Sequence, residues 1–148
     1  MGYYMRFVST DEHPVTTTAL RDALVAAGAA YRVESDDGAA TISHGGIRIA
    51  HVEINTPGDG LFDEEREELI ELVSDTDGHD SAKARVIDTL RAARSTVAAQ
   101  ILFGTGDSET TLAKLDPLWQ WLFRNYRGLL QADGEGYYDG SGIVLRME

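Results

Sequence analysis

The sequence predicts an α+β fold in which two related β-α-β-β(-β) modules form antiparallel sheet(s) with helices packed on one side. Three observations support this prediction. Short segments rich in β-branched and aromatic residues alternate with segments of helical periodicity, glycine-rich turns join successive strands, and both ends of the chain follow the same order of elements. The chain has 148 residues, which is enough to bury a sizeable core, so we expect a single compact domain over residues 1–148.

The first third of the chain predicts one strand, one helix and three further strands. Residues 3–9 are rich in aromatic and β-branched residues, which is typical of a strand. Past the break at Pro14, apolar residues recur at helical spacing from Ala19 until Gly28 supplies a C-terminal stop. The three strands are predicted over residues 31–35, 40–44 and 47–55, joined by turns at Asp36-Asp37-Gly38 and Gly45-Gly46.

A two-helix segment follows the first set of strands. Residues 60–94 predict an acidic helix with a narrow apolar stripe and then a basic helix that Ser81 caps. Residues 96–103 suit either a helix or a strand. Their short length and the stop at Gly104 favour a buried strand.

The last third of the chain predicts a long helix and three strands. Asp107 or Ser108 is predicted to cap the helix, and we expect the helix to kink or restart at Asp116 because Pro117 is costly inside a helix. The strands are predicted over residues 129–133, 135–138 and 143–147.

The element order predicts an internal repeat. Modules at about residues 1–56 and 96–148 each begin with a strand and a helix and continue with paired strands, and the two-helix segment 60–94 joins them. A groove between two such modules is the natural place for a ligand.

The net charge of −12 is concentrated in one segment. Ten acidic residues and one basic residue lie between Asp59 and Asp80. No basic stripe is visible, so we expect neither a nucleic acid nor a membrane as a partner. An acidic helix face favours a protein partner with a basic surface, and the alternative is a solvated face that keeps the chain soluble. The candidate contact residues are Glu64, Glu67, Glu68 and Glu71.

Two pairs of residues have spacing that could suit a metal ion. Alternation in a strand places His51 and Glu53 on one face, together with Ile47 and Ile49. The second module holds Asp133 and Glu135 at the same spacing, although the glycines beside them favour an irregular turn. Imidazole with carboxylates suits Zn, Mn, Fe or Ni, and the alternative is the wet side of a sheet.

Aromatic residues cluster in the last third of the chain. Trp121 is predicted to point away from the apolar face of its helix, and Tyr137 and Tyr138 to opposite faces of their strand. Trp121 and Tyr138 are therefore candidate contacts for a ligand or a partner, because aromatic residues dominate binding hot spots. The alternative is that these rings fill the core.

Familiar catalytic signatures are absent from the sequence. It has no cysteine, no nucleophile elbow of the form G-x-S-x-G and no phosphate-binding loop of the form G-x-x-x-x-G-K-[ST]. We therefore expect a small cytoplasmic binding protein rather than an enzyme. It would be immunity-, antitoxin- or regulator-like and would need no cofactor. The alternatives are a metal-dependent enzyme with a divalent metal and a small-molecule binder, and the sequence leaves a homodimer open.

Overall fold

A computed structural model describes residues 2–36, 38–104 and 107–147. The elements are β1 Tyr3–Ser9, α1 Thr17–Ala27, β2 Tyr31–Asp36, β3 Ala39–His44, β4 Ile47–Asn55, α2 Gly60–Asp75, α3 Asp80–Arg91, β5 Ser95–Ile101, α4 Ser108–Asn125, β6 Gly128–Ala132, β7 Gly136–Asp139 and β8 Gly142–Arg146. Most of β5 is buried, which confirms a buried strand within residues 96–103, although the strand ends at Ile101. The turn predicted at Asp36-Asp37-Gly38 includes residue 37, which lies outside the described residues.

These strands form one antiparallel sheet of eight strands in the order β2-β3-β4-β5-β1-β6-β7-β8. The first strand, β1, is central: Phe7 pairs with Val97 of β5 on one side and with Leu130 of β6 on the other. It thereby joins two runs of sequential strands, β2 to β5, in which α2 and α3 connect β4 to β5, and β6 to β8. The predicted α+β fold with an antiparallel sheet is confirmed.

One pair of helices covers each face of the sheet. Neighbouring residues of a strand point to opposite faces, so Phe7 and Val8 mark the two sides. On the Phe7 side, α1 and α4 pack over strands β2, β3, β4, β5 and β1 and over Leu130 of β6. On the Val8 side, α2 and α3 pack over strands β1, β6, β7 and β8. The two module helices thus share one side, as predicted, while the connecting helices take the other. Because the layers are offset, each leaves one end of the sheet uncovered.

The predicted alternation along β4 is interrupted by a bulge. The register between β3 and β4 shifts at Ile42 and Ser43, and both Ile49 and Ala50 are buried in the core under α1 and α4. An extra residue in one strand of a pair changes which residues share a face. Ile49 therefore does not lie on the exposed face with His51, as the simple alternation predicts.

The last helix, α4, does not restart at Asp116. It runs without interruption from Ser108 to Asn125 with Pro117 inside it. Leu115, Leu118 and Leu122 are fully buried on its inner face. Burial of each such side chain contributes roughly 1.5–3 kcal/mol, which together exceeds the cost of about 3 kcal/mol for an internal proline.

The internal repeat is not confirmed. The element order of the two modules is similar, but corresponding strands occupy different places in the sheet. The outer neighbour of β5 is β4, the last strand of the first module, whereas the outer neighbour of β1 is β6, the first strand after α4. A twofold axis would require equivalent neighbours. No helix among the described residues is both long and apolar enough to cross a membrane.

Candidate functional site

The offset between the helix layers leaves a cavity of about 470 Å³ between α4 and the β6–β8 end of the sheet. Side chains of the sheet form its floor, and Trp119 and Phe123 of α4 form an aromatic wall. Phe123 is held in place by an edge-to-face contact with Phe7, whose ring centroid lies 5.3 Å away. The apolar lining consists of Met5, Leu112, Trp119, Phe123, Leu130 and Ala132.

A single carboxylate is fixed at the rim of this cavity by two tyrosines. The hydroxyl of Tyr3 donates to Oε2 of Glu135 over 2.5 Å, and the hydroxyl of Tyr138 donates to Oε1 over 2.9 Å. All three residues line the cavity. A carboxylate offers about four lone-pair sites, so two hydrogen bonds leave acceptor capacity for a ligand.

Two glycines of the β6–β7 hairpin place Glu135 there. Gly134 and Gly136 both have positive φ, at 73° and 141°. A Cβ on Gly136 would lie 2.0 Å from the carbonyl oxygen of Leu145. Only glycine accommodates both the conformation and the close approach. The chain therefore turns between residues 133 and 136, and this turn places Glu135 at the rim of the cavity.

The tyrosine hydroxyls remain protonated over a wide pH range. Burial, together with the hydrogen bond to Glu135 and its negative charge, raises the pKa of Tyr3 above its ordinary value. The hydrogen bond to Glu135 is the first cause of the raised pKa of Tyr138, and burial is the second. Both hydroxyls are therefore donors at neutral pH, and the geometry of the carboxylate is set before a ligand arrives.

Two further carboxylates line the cavity, and their pKa values are shifted in opposite directions. Asp139 accepts hydrogen bonds from the backbone N–H groups of Ser141 and Gly142 at 2.7 and 3.0 Å and pairs with Arg85 at 3.2 Å. The bond from Ser141 is the largest cause of the lowered pKa of Asp139. Burial raises the pKa of Asp116. No Lys, Arg or His belongs to the lining as far as the described residues show it, so the cavity favours positive charge.

The four residues predicted as metal ligands do not come together. His51 and Glu53 are exposed on β4, where His51 lies 3.3 Å from the hydroxyl of Thr41. Asp133 is turned to the face of α2 and α3. Glu135 is on the opposite face, because the rule that residues two apart share a face holds in a strand and fails in a turn. Within the described parts of the chain, no group of three or more His, Asp or Glu side chains could hold a metal ion.

Asp133 instead belongs to a charged network around Arg6. The guanidinium of Arg6 lies 2.9 Å from Asp133 and 3.2 Å from Glu65 of α2. It also donates to Gln131 over 2.7 Å and lies over the ring of Tyr4 at 5.1 Å. This network ties β1 to α2 and β6, so its function is structural.

The predicted partner-binding residues are scattered. Glu64, Glu67, Glu68 and Glu71 are exposed on α2. Tyr138 lines the cavity, but Trp121 packs edge-to-face on Tyr126 at 5.7 Å and is not a lining residue. Sequence reasoning missed Tyr3 and Trp119. Trp119 is one of the buried residues of α4, which helical periodicity alone does not distinguish from the core, and no local pattern indicates that Tyr3 reaches Glu135.

Comparison with protein-family models, curated proteins and solved structures finds no match for this chain.

Proposed function

We propose that this chain is a binding protein for small organic cations, in which an ammonium or guanidinium group is attached to an apolar or aromatic body. One observation carries the proposal. Glu135, fixed by the hydroxyls of Tyr3 and Tyr138, stands at the rim of an aromatic cavity.

The chemistry of the lining favours such a ligand on three grounds. A volume of about 470 Å³ suits a small organic molecule, since ligand sites commonly have about 300–1,000 Å³. The aromatic side chains of Trp119 and Phe123 line the cavity and would shield an apolar body from water. Glu135 and Asp116 supply negative charge, and the net charge of −12 attracts cations over a distance.

The test is calorimetric titration with three ligands of matched shape: 2-phenylethylammonium, neutral 2-phenylethanol and anionic 3-phenylpropanoate. We expect the cation to bind with an affinity at least about tenfold above that of the alcohol. The anion should not bind measurably. Emission from Trp119, a cavity residue, should change on binding in a Trp121→Phe variant. Equal affinity for the cation and the anion would contradict the proposal.

Substitution of the carboxylate localises the site. Glu135→Gln keeps the shape of the side chain and removes its charge, so we expect it to lower cation affinity while the weak affinity for the alcohol stays the same. Glu53→Gln is the matched control, because Glu53 is an exposed carboxylate on β4 outside the cavity. If both variants lower cation affinity equally, the effect is general electrostatics and the site is elsewhere.

A second candidate function is the docking of a basic protein surface on α2. This helix exposes Leu61 and Leu72, each over half of its surface, beside Glu64, Glu67, Glu68 and Glu71. Apolar residues within an acidic face suit a basic partner with apolar contacts. Reversal of the four glutamates to Lys should abolish binding of a lysine- and leucine-rich amphipathic peptide, measured by calorimetry at physiological salt. Retained binding would exclude this surface.

A further inference from the structure

The sheet ends at β2, which pairs with β3 and is the terminal strand of the sheet. The backbone N–H of Gly45 donates to the carbonyl of Ala30 over 2.9 Å, and Tyr31 is opposite His44. In an antiparallel pair this pattern makes Tyr31 and His44 a non-hydrogen-bonded pair. Alternate residues of β2, namely Val33 and Ser35, therefore direct their backbone N–H and C=O groups away from β3.

A cavity of about 710 Å³ runs along this edge, between β2, the end of α1 and the β3–β4 turn. Three arginines line it, Arg21, Arg32 and Arg48, with Glu34 as the one acidic residue among the described lining. Arg21 also pairs with Asp22 at 3.6 Å, so Arg32 and Arg48 supply the positive charge at this edge of a chain whose net charge is −12.

Two of these arginines are placed by strand register. Arg32 pairs with Ser43, and Ser43 pairs with Arg48, so the two side chains flank Ser43 on one face of the sheet. On the other face of the edge, Val25 of α1 lines the cavity and is 53% exposed. The edge thus presents Arg32 and Arg48 beside Glu34 on one face, and Val25 beside the Asp22-paired Arg21 on the other.

We propose that the β2 edge binds an extended acidic segment of a partner protein, which adds to the sheet as a ninth strand. Side chains of an added strand alternate between the two faces, so acidic residues would meet Arg32 and Arg48 while apolar residues between them meet Val25. The outward backbone groups of Val33 and Ser35 would supply the hydrogen bonds. Charged side chains also protect sheet edges from pairing, and this protective role predicts no binding.

The experiment is fluorescence anisotropy with a fluorescein-labelled peptide of alternating Glu and Val, at about 0.15 M ionic strength. The matched probe is the peptide of alternating Lys and Val. We expect saturable binding of the acidic peptide and none of the basic one. Absence of saturable binding of the acidic peptide by the wild-type chain would overturn the proposal.

Two variants separate strand addition from simple charge attraction. Ser35→Pro removes one outward N–H but no hydrogen bond between β2 and β3, so the fold should persist, which circular dichroism would check. The affinity for the acidic peptide should fall about fivefold. Arg32→Glu with Arg48→Glu should lower affinity at least about tenfold. Arg124→Glu, on the exposed side of α4, is the control and should leave affinity unchanged. Loss of affinity in the arginine variant with full affinity in Ser35→Pro would overturn strand addition.

Because the edge is separate from Glu135, Glu135→Gln should bind the peptide normally even if the cation proposal fails.

Discussion

The hydroxyl of Tyr3 donates a 2.5 Å hydrogen bond to Glu135, which lies 132 positions further along the chain. Tyr138, on the strand that follows Glu135, donates to the other carboxylate oxygen. The first strand and the β6–β7 hairpin therefore meet at one carboxylate at the rim of the cavity. Because these groups are near the surface, this contact should matter more for ligand binding than for folding.

Tyr3→Phe is expected to lower the affinity for 2-phenylethylammonium about three- to tenfold with little change in thermal stability. The variant removes one donor, so Glu135 gains rotational freedom that a ligand must then restrict, and a hydrogen bond to a charged group is worth about 1.5–3 kcal/mol at most. Titration calorimetry measures the effect. Tyr4→Phe, on the opposite face of β1, serves as the control. An unchanged affinity in Tyr3→Phe would show that Glu135 is positioned without its help.

The raised pKa of Tyr3 predicts a loss of stability in alkaline solution. In the unfolded chain the hydroxyl ionises near its ordinary pKa of 10.0, whereas burial and Glu135 keep it protonated in the folded chain. The stabilisation is therefore complete below pH 10.0 and is lost as the pH rises towards the folded pKa. Urea unfolding at about pH 9 and about pH 11 should show a smaller loss of stability for Tyr3→Phe than for the wild type. An equal loss in both proteins would contradict the raised pKa.

The network around Arg6 predicts a large effect on folding. Side-chain exposure of Arg6 is 14%, and its charge is balanced by Glu65 of α2 and by Asp133 in the turn after β6. Arg6→Leu should lower the free energy of unfolding by about 2 kcal/mol, less than the 3–5 kcal/mol typical of a fully buried pair because both carboxylates are partly exposed. Urea denaturation measures this. Arg91→Leu, at an exposed position of α3, should change stability by less than about 0.5 kcal/mol. Similar effects in both variants would contradict a structural role for the network.

Local patterns predicted most of the helices and strands because each depends on periodicity and on turn residues within a short segment. The buried strand β5 and the cap of α4 at Asp107 are examples. The exceptions arise from tertiary structure. The bulge that buries Ile49 depends on the pairing of β4 with β3, and packing outweighs the cost of Pro117.

The candidate site was much harder to predict. Glu135 was selected for its spacing from Asp133, but the positive φ of Gly134 and Gly136 sends the two carboxylates to opposite faces. Its actual neighbour Tyr3 comes from the other end of the chain, and such a contact leaves no pattern in a single sequence. Spacing thus selects Glu135, a residue of the proposed site, for a reason that the fold does not support.

Gly136→Ala tests how the hairpin supports the site. An added Cβ would approach the carbonyl oxygen of Leu145 to 2.0 Å, and the φ of 141° disfavours alanine. We expect a loss of about 2–4 kcal/mol in stability, together with loss of cation binding, because the hairpin must move. Gly140→Ala is a suitable control, since its nearest contact would be Phe123 at 4.0 Å. Urea denaturation measures the free energy of unfolding of both variants. Equal values would mean that the hairpin accommodates the added Cβ without strain.

Pro117→Ala should make the protein more stable. A proline inside a helix lacks the N–H that would donate to the carbonyl four residues earlier, and its ring crowds that carbonyl. In α4 this position lies between the buried Leu115 and Leu118, so the helix continues through Pro117 because of its packing and despite the lost hydrogen bond. Alanine would restore the bond and keep the buried leucines in place, with an expected gain of about 1–3 kcal/mol. Pro57→Ala, in the exposed loop before α2, is the matched control and should be neutral or slightly destabilising, because proline restricts the unfolded chain. Thermal and urea unfolding should show that the Pro117→Ala variant is clearly more stable than the Pro57→Ala variant. Equal stability of the two variants would show that α4 has already adapted to its proline.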